Sequence, residues 1–155
     1  MTARISQDDQ MMRIAHTLAM RATCDRLYVG AVLAMDGRII STGFNGAPSG
    51  EPHCDHRHST TPCTASVHAE TNAIVFAARH GISAQGATLY STHAPCASCA
   101  ATLINLRIER CLYANQYRSD AGLIRLLTAG ITVEHWPALP HTQAPTHTPP
   151  AQLVR

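Results

Sequence analysis

The sequence has no lysine, so all 12 basic residues are arginine and catalysis by a lysine side chain is excluded. No apolar run approaches the roughly 20 residues of a membrane-spanning helix. The N-terminal residues lack the basic and then apolar pattern of a signal peptide. The formal net charge is only +2, whereas nucleic-acid and membrane-surface binders usually carry a dense basic field. We therefore expect a cytoplasmic protein with neither nucleic acid nor membrane as a partner.

Cysteine and histidine, in contrast, are frequent for a chain of 155 residues with a mass of 16.7 kDa. There are ten histidines and six cysteines, the latter being Cys24, Cys54, Cys63, Cys96, Cys99 and Cys111. In a reducing compartment, clustered cysteines indicate metal ligands more often than disulfides. Any single cysteine is still a candidate core residue, and Cys111, alone in an apolar segment, is expected to be one.

Apolar periodicity and turn residues predict nine elements in the order α-β-β-α-β-α-β-α-β. We expect helices over 7–23, 67–80, 96–106 and 120–128, and strands over 28–35, 38–42, 87–92, 110–114 and 131–134. Residues 43–62 form a long predicted loop rich in Gly, Pro and His. Strands that alternate with helices after a hairpin predict a three-layer α/β/α fold around a five-stranded mixed sheet.

The last segment differs in composition from the rest, because five of the nine prolines follow Trp136. It has no hydrophobic period, which is typical of an extended or flexible tail. We therefore expect one domain over residues 1–135 and a Pro-rich tail over 136–155.

Two half-motifs carry the chemistry: His68-Ala69-Glu70, and Pro95-Cys96-Ala97-Ser98-Cys99 further along. A catalytic zinc site takes three nitrogen or sulfur ligands and leaves a fourth position for water. His68, Cys96 and Cys99 supply three such ligands, and a helix start favours the thiolate form of its cysteines.

Glu70 follows the histidine on the same predicted helical turn, where a carboxylate can exchange protons with a water molecule without ligating the metal. This H-x-E and P-C-x-x-C pattern is the signature of zinc nucleobase deaminases. The alternative is a closed structural zinc knuckle. That site would need a fourth protein ligand and has no use for the glutamate.

The surrounding sequence resembles the dCMP (deoxycytidylate) deaminase family of the cytidine deaminase-like superfamily, from about Met11 to Glu134. The matching segments are Cys24–Arg26, Val29–Val32, Asp36–Ile40, Gly43–Pro48, Val67–Ile74 and Gly86–His93. The resemblance implies hydrolytic deamination of dCMP to dUMP and ammonia, a precursor step of thymidylate synthesis, with Zn²⁺ as cofactor.

The resemblance also implies roles for individual residues. His68, Cys96 and Cys99 would bind the catalytic zinc and Glu70 would shuttle the proton. Asn45 would hydrogen-bond the sugar, the N–H of Ala69 would hold the pyrimidine carbonyl, and Tyr117 and Arg118 would recognise the phosphate. The alternative for Asn45 is a turn residue that tolerates an unusual backbone angle, and for Arg118 a solvated surface arginine.

Bacterial and phage members of the family often carry a second, structural zinc in the region of the long loop. By this resemblance Cys24, Cys54 and Cys63 are candidate ligands, and His53, His56 and His58 compete for the fourth place, with His58 slightly favoured. Four ligands would hold a long loop in place. The alternative is a flexible His-rich loop with incidental thiols.

The family resemblance further implies a homo-oligomer such as a hexamer, and control by dCTP and dTTP through the turn Gly43-Phe44-Asn45-Gly46. Deaminases of free cytidine, tRNA adenosine or riboflavin precursors share parts of the signature. Cytidine deaminases fit less well because most of them bind zinc through three cysteines, whereas His68 is a ligand here. The weak net charge does not suit a tRNA-binding enzyme, and the chain has no room for the reductase domain that usually accompanies riboflavin-pathway deaminases. A 5-methyl or 5-hydroxymethyl cytosine nucleotide stays open as a substrate, as does a catalytically silent zinc-binding regulatory module.

Overall fold

In the computed structural model, which describes residues 4–56 and 63–137, nine elements follow one another in the predicted order. The helices are α1 Gln7–Ala19, α2 Ala69–Arg79, α3 Ala97–Asn105 and α4 Ala121–Thr128. The strands are β1 Gly30–Met35, β2 Arg38–Phe44, β3 Thr88–His93, β4 Arg110–Asn115 and β5 Thr132–His135. Most boundaries lie within two residues of the predicted ones.

The largest difference lies at the end of α1, and the start of β1 also differs, by two residues. The first helix ends at Ala19 instead of residue 23, and the N–H of Thr23 donates to the carbonyl oxygen of Asn45. The first strand begins at Gly30 because the preceding N–H, that of Val29, donates to the side chain of Asn45. A contact with Asn45, which is distant in sequence, thus lies next to both boundaries.

The five strands form one mixed sheet, as predicted, and their order in it is β2-β1-β3-β4-β5. β1 is antiparallel to both β2 and β3, whereas β3, β4 and β5 are parallel to one another. The carboxyl ends of β3 and β4 consequently meet at one edge of the sheet, where His93 pairs with Asn115. In open sheets with parallel strands, this edge is where ligands bind.

Alternate residues of the central strands bury two apolar clusters on opposite faces of the sheet. One face, represented by Leu33 and Leu89, packs against α2, α3 and α4, and it includes the predicted core residue Cys111. The other face, represented by Val32 and Tyr90, packs against α1. The protein thus has the predicted three-layer α/β/α architecture.

The domain extends beyond its predicted boundary, because Trp136 belongs to the α1 cluster and is only 5% exposed. Its indole Nε1–H donates to Asp9 over 2.9 Å. The prediction of a tail from residue 136 is therefore wrong at Trp136, since a buried aromatic ring with a satisfied N–H is part of the core. The rest of the predicted tail, residues 138–155, lies outside the described residues.

A network of charged groups joins α1 to β4 and β5, at one end of the sheet. The guanidinium of Arg110 donates to both carboxylate oxygens of Asp8 over 2.8 Å, and to those of Glu134 over 2.7 and 2.9 Å. The hydroxyl of Tyr90 also donates to Asp8. These bonds hold the pKa of Asp8 below its ordinary value, chiefly through the bond from Arg110.

None of the helices in the described ranges combines the length and apolar character needed to cross a bilayer.

Close backbone approaches bring the helices onto the sheet at two glycines. A Cβ atom at Gly30 would clash with the carbonyl oxygen of Ala15 in α1. One at Gly43 would clash with the carbonyl oxygen of Ala69 in α2. Only a residue without a side chain allows this spacing between strand and helix. Gly43 therefore determines how closely the start of α2 approaches β2.

We predict that Gly43→Ala lowers the free energy of unfolding by about 3 kcal/mol, because the new methyl group overpacks a contact between two backbones. Gly81→Ala is the matched control: Gly81 has a φ of +66° but open space around it. We expect it to cost only about 1 kcal/mol through its backbone angle. Equal losses in urea unfolding of the two variants would show that β2 and α2 are not held by this contact.

Candidate active site

The starts of two helices place the half-motifs side by side. His68 is the N-cap residue of α2 and Cys96 that of α3, with Cys99 in the first turn of α3. Paired backbone bonds between Gly46 and Val67 hold the chain just before His68. The N–H of Ala94 donates to the carbonyl oxygen of Asn115 over 2.8 Å, which ties the start of α3 to the end of β4.

The three predicted ligands converge as a zinc ion requires. Nδ1 of His68 lies 3.5 Å from Sγ of Cys96 and 3.4 Å from Sγ of Cys99. Tetrahedral zinc, about 2.3 Å from sulfur and about 2.0 Å from nitrogen, separates such atoms by about 3.5 Å. Among the described residues this group has three members. It therefore fits an open catalytic site better than a closed knuckle.

Local electrostatics favour the thiolate form of Cys96, whereas the hydrogen bond with Cys96 and burial raise the pKa of Cys99. Sγ of Cys96 accepts the N–H of Cys99 at the N-terminus of α3 over 3.5 Å. Hydrogen bonds with the side chain of Cys99 and with the imidazole of His68 lower the pKa of Cys96 to about 3. A cysteine that is already deprotonated at neutral pH is ready to bind a metal cation.

Glu70 lies in the first turn of α2 and is only 4% exposed. Burial disfavours its charged form and raises its pKa to about 7. A carboxyl group that titrates near neutrality can both accept and return a proton at that pH. The residue predicted as the proton shuttle thus has the environment that this role needs.

Thr71 is a neighbour of the ligand group that the sequence analysis did not identify. Its hydroxyl oxygen lies 3.7 Å from Sγ of Cys99. Hydrogen bonds to metal ligands orient them and tune their basicity. The only sequence signal for this contact is the position of Thr71 directly after Glu70.

A cavity of about 380 Å³ opens beside the ligand group, within the range of small-molecule sites. Every residue predicted to bind substrate lies in its wall, namely Asn45, Ala69, Tyr117 and Arg118, together with Glu70. The guanidinium of Arg118 lies over the ring of Tyr117, 5.2 Å from its centroid. Arg26 and His93 also line the cavity; both belong to segments that match the family, but the sequence analysis assigned neither a role.

Asn45 has a structural role that the sequence did not reveal. Its Oδ1 accepts the N–H of Val29 and its Nδ2 donates to the carbonyl oxygen of Leu27, each over 2.7 Å. Its backbone φ is not positive, so the alternative of a turn asparagine with an unusual backbone angle is wrong. Asn45 positions one wall of the cavity, and one amide hydrogen and one lone pair remain for a ligand.

The turn predicted to be regulatory contacts the site helix. Besides the close approach of Gly43, the carbonyl oxygen of Phe44 accepts a hydrogen bond from Asn72 over 2.7 Å. Gly46 bonds to Val67, as described above. These contacts explain the turn structurally, and its response to an effector stays a prediction.

A second group of metal-ligating side chains adjoins the cavity. It contains Cys24, Cys54, His56 and Cys63, and their ligand atoms all lie within 4.8 Å of one another. Sγ of Cys54 lies 3.6 Å from that of Cys63, close to the spacing of two sulfurs on one zinc ion. His58, the favoured fourth ligand, lies outside the described residues, and His56 occupies that place in the described group.

His56 is held in a manner that suits a ligand. Both carboxylate oxygens of Asp25 accept its backbone N–H, over 3.0 and 3.1 Å. Its Nε2 is the one buried side-chain polar atom in residues 4–56 and 63–137 that has no hydrogen-bond partner. A metal ion would satisfy this nitrogen, since an orphaned buried polar atom is otherwise costly.

Comparisons with known proteins agree with this geometry. A family model described as the cytidine and deoxycytidylate deaminase zinc-binding region matches residues 5–115. ComE operon protein 2 of Bacillus subtilis is 38% identical over 141 residues, which cover 84% of this chain and 71% of that protein. The deoxycytidylate deaminase of Enterobacteria phage T2 is 33% identical over 172 residues, covering 83% of this chain and 92% of that protein.

A solved structure extends the similarity to three dimensions. The dCMP deaminase from the cyanophage S-TIM5, in complex with dCMP and dUMP, superposes with a TM-score of 0.81 at 29% identity. The match covers 87% of this chain and all of that chain. Motif, site geometry and fold thus lead to one conclusion: the chain belongs to the cytidine and deoxycytidylate deaminase family.

Proposed function

We propose that this protein is a zinc-dependent hydrolase that deaminates dCMP to dUMP and ammonia. The observation that carries the proposal is one cavity that unites an open three-ligand group with a buried carboxyl group that titrates near neutrality. The names of the relatives from phage T2 and cyanophage S-TIM5 support dCMP as the substrate. The aromatic and cationic pair Tyr117 and Arg118 in the cavity wall supports a phosphate on the ligand.

In the proposed binding mode, each part of the nucleotide meets a different part of the wall. The guanidinium of Arg118 pairs with the phosphate, and the remaining amide groups of Asn45 face the sugar. The N–H of Ala69 belongs to the first turn of α2, where helical N–H groups lack a partner within the helix. It can donate to the carbonyl oxygen of the pyrimidine.

In the proposed reaction, His68, Cys96 and Cys99 would hold a zinc ion, which would supply the Lewis acidity that makes a water molecule nucleophilic at neutral pH. Glu70 accepts a proton from this water as its oxygen bonds to C4 of the cytosine ring, and delivers that proton to N3. Glu70 then moves a second proton from the new hydroxyl group to the amino group. The C4–N bond breaks, ammonia leaves and a carbonyl remains at C4.

A second zinc bound by Cys24, Cys54, His56 and Cys63 completes the proposal. Three sulfurs and one nitrogen form a closed tetrahedral set that is typical of structural zinc. The unpartnered Nε2 of His56 supports this assignment. Since Cys24 and Cys63 also line the cavity, this zinc would stabilise the wall that faces the substrate.

Other properties implied by the family complete the proposal. A homo-oligomer such as a hexamer, control by dCTP and dTTP, a place in thymidylate synthesis and a cytoplasmic location all stay predictions.

We predict that the zinc-loaded protein releases ammonia from dCMP faster than from deoxycytidine, dCTP, CMP or 5-methyl-dCMP. Glu70→Gln should lower kcat for dCMP by about 10²- to 10⁴-fold, because the amide cannot accept the proton. Its zinc content and thermal unfolding should match those of the wild type. A zinc-loaded wild type that deaminates no cytosine compound would refute the proposal and favour a silent zinc-binding module.

We predict that Arg118→Gln lowers kcat/KM for dCMP by about tenfold to a hundredfold and leaves deoxycytidine unaffected, because only dCMP carries the phosphate that the charge would pair with. Arg38→Gln, an exposed arginine on β2 outside the cavity, is the control and should change neither rate. If Arg118→Gln lowered kcat/KM equally for dCMP and deoxycytidine, this would show that the Arg118 side chain shapes the cavity and does not bind the phosphate.

We predict two zinc ions per chain by elemental analysis. His56→Gln should remove one of them and lower Tm, because an open tetrahedral set loses affinity for the metal. His58→Gln and His53→Gln should each retain both ions. Loss of zinc from His58→Gln, with retention in His56→Gln, would assign the fourth ligand to His58 instead.

A further inference from the structure

The carboxyl end of β3 places a histidine in the cavity wall that the proposed mechanism does not use. His93 is half-buried and pairs with Asn115 across the parallel ladder of β3 and β4. From this pair β3 leads to Cys96, and β4 leads to Arg118. His93 thus precedes the segment that holds the two cysteine ligands, and it pairs with the strand that leads to the proposed phosphate ligand.

The neighbours of His93 determine which ring nitrogen carries the proton. Oγ1 of Thr92 accepts the N–H of Gly30 over 3.1 Å and lies 3.2 Å from Nδ1 of His93. Thr92 is buried, and among the described residues Nδ1 is the acceptor within hydrogen-bond distance of its hydroxyl, whose proton would otherwise lack a partner. Burial holds the pKa of His93 below its ordinary value, so the ring is neutral at pH 7. We therefore assign the proton of Thr92 to the bond with Nδ1, and the proton of the ring to Nε2.

The Nε2–H group of His93 is open to the cavity. The Nε2 atom of His93 has no hydrogen-bond partner among the described residues. A buried atom without a partner would count as orphaned, but in the described ranges Nε2 of His56 is the one such side-chain atom. Nε2 of His93 is therefore accessible, and the space that His93 borders is the cavity. A hydrogen-bond donor of fixed tautomer thus faces the ligand.

The same part of the wall contains Asn45. Gly30, which bonds to Thr92, follows Val29, which bonds to Oδ1 of Asn45. The wall of the one cavity therefore offers both the Nε2–H donor of His93 and the second lone pair of Asn45. A ligand group that both accepts and donates, namely a hydroxyl, satisfies both.

We propose that His93 is a specificity residue that donates from Nε2 to the 3′-hydroxyl oxygen of the nucleotide sugar, whose own proton goes to Asn45. The inference rests on the proposed function, because it assumes a deoxynucleotide with its base at the metal ligands and its phosphate at Arg118. The 3′-hydroxyl is then the one free hydroxyl of the sugar, between the base and the phosphate, and His93 and Asn45 line the same cavity as Glu70 and Arg118.

The test measures the affinity of two ligands for proteins with and without the His93 side chain, as in a double-mutant cycle. Affinities are measured by calorimetry in zinc-loaded protein that also carries Glu70→Gln, so that no turnover occurs. The ligands are dCMP and 2′,3′-dideoxy-CMP, which lacks only the 3′-hydroxyl. We expect His93→Leu to weaken the binding of dCMP by about tenfold, the effect of one buried hydrogen bond. It should leave the binding of the dideoxy ligand unchanged. His93→Gln, which retains a donor, should lose less than His93→Leu.

An equal loss for both ligands would overturn the inference, because it would show that His93 only packs the wall, and so would no loss for either. If His93→Leu does not fold, the wild-type His93 and His93→Gln proteins still provide the comparison: equal affinities for dCMP and the dideoxy ligand in both would also refute it. Turnover of dCMP by the wild type is measured separately. If His93→Leu weakens only the binding of dCMP, but the wild type does not turn dCMP over, the proposed reaction is refuted and the role of His93 is retained. If dCMP does not bind, both are overturned.

Discussion

The site depends on one constraint, namely that two helices must begin at the same edge of the sheet. The parallel pairing of β3 with β4 brings Ala94 against Asn115 and so places the start of α3. The pair of bonds between Gly46 and Val67 places the start of α2 in the same way. A nitrogen and two sulfurs from distant parts of the chain thereby come within the spacing of a zinc shell.

Around this point the structure combines charge with burial. The helix start and the neighbouring imidazole favour a thiolate at Cys96, whereas the apolar surroundings disfavour the carboxylate of Glu70. Both shifts prepare the groups for their proposed roles, one as a metal ligand and the other as a proton carrier. The two environments differ although the side chains share one cavity, because Cys96 is hydrogen-bonded and Glu70 is fully enclosed.

The cavity wall is built by residues that hold one another as well as facing a ligand. Asn45 uses its amide to order residues 27–29, and Thr92 uses its hydroxyl to fix the proton of His93. The second cysteine group lies in the same wall, so a metal bound there would support it from behind. Hydrogen-bonded support of this kind keeps binding groups in place before the ligand arrives.

The sequence by itself determined the nine elements, their order, and the members of the ligand group with Glu70. Periodicity and motif spacing are local properties, and a helix start orients a C-x-x-C pair whatever surrounds it. Tertiary structure alone decided the double use of Asn45, the burial of Trp136, the place of His56 beside three cysteines, and the positions of Thr71 and His93. Each of these depends on a contact between residues far apart in the chain, and no local pattern specifies which distant side chain will be the partner.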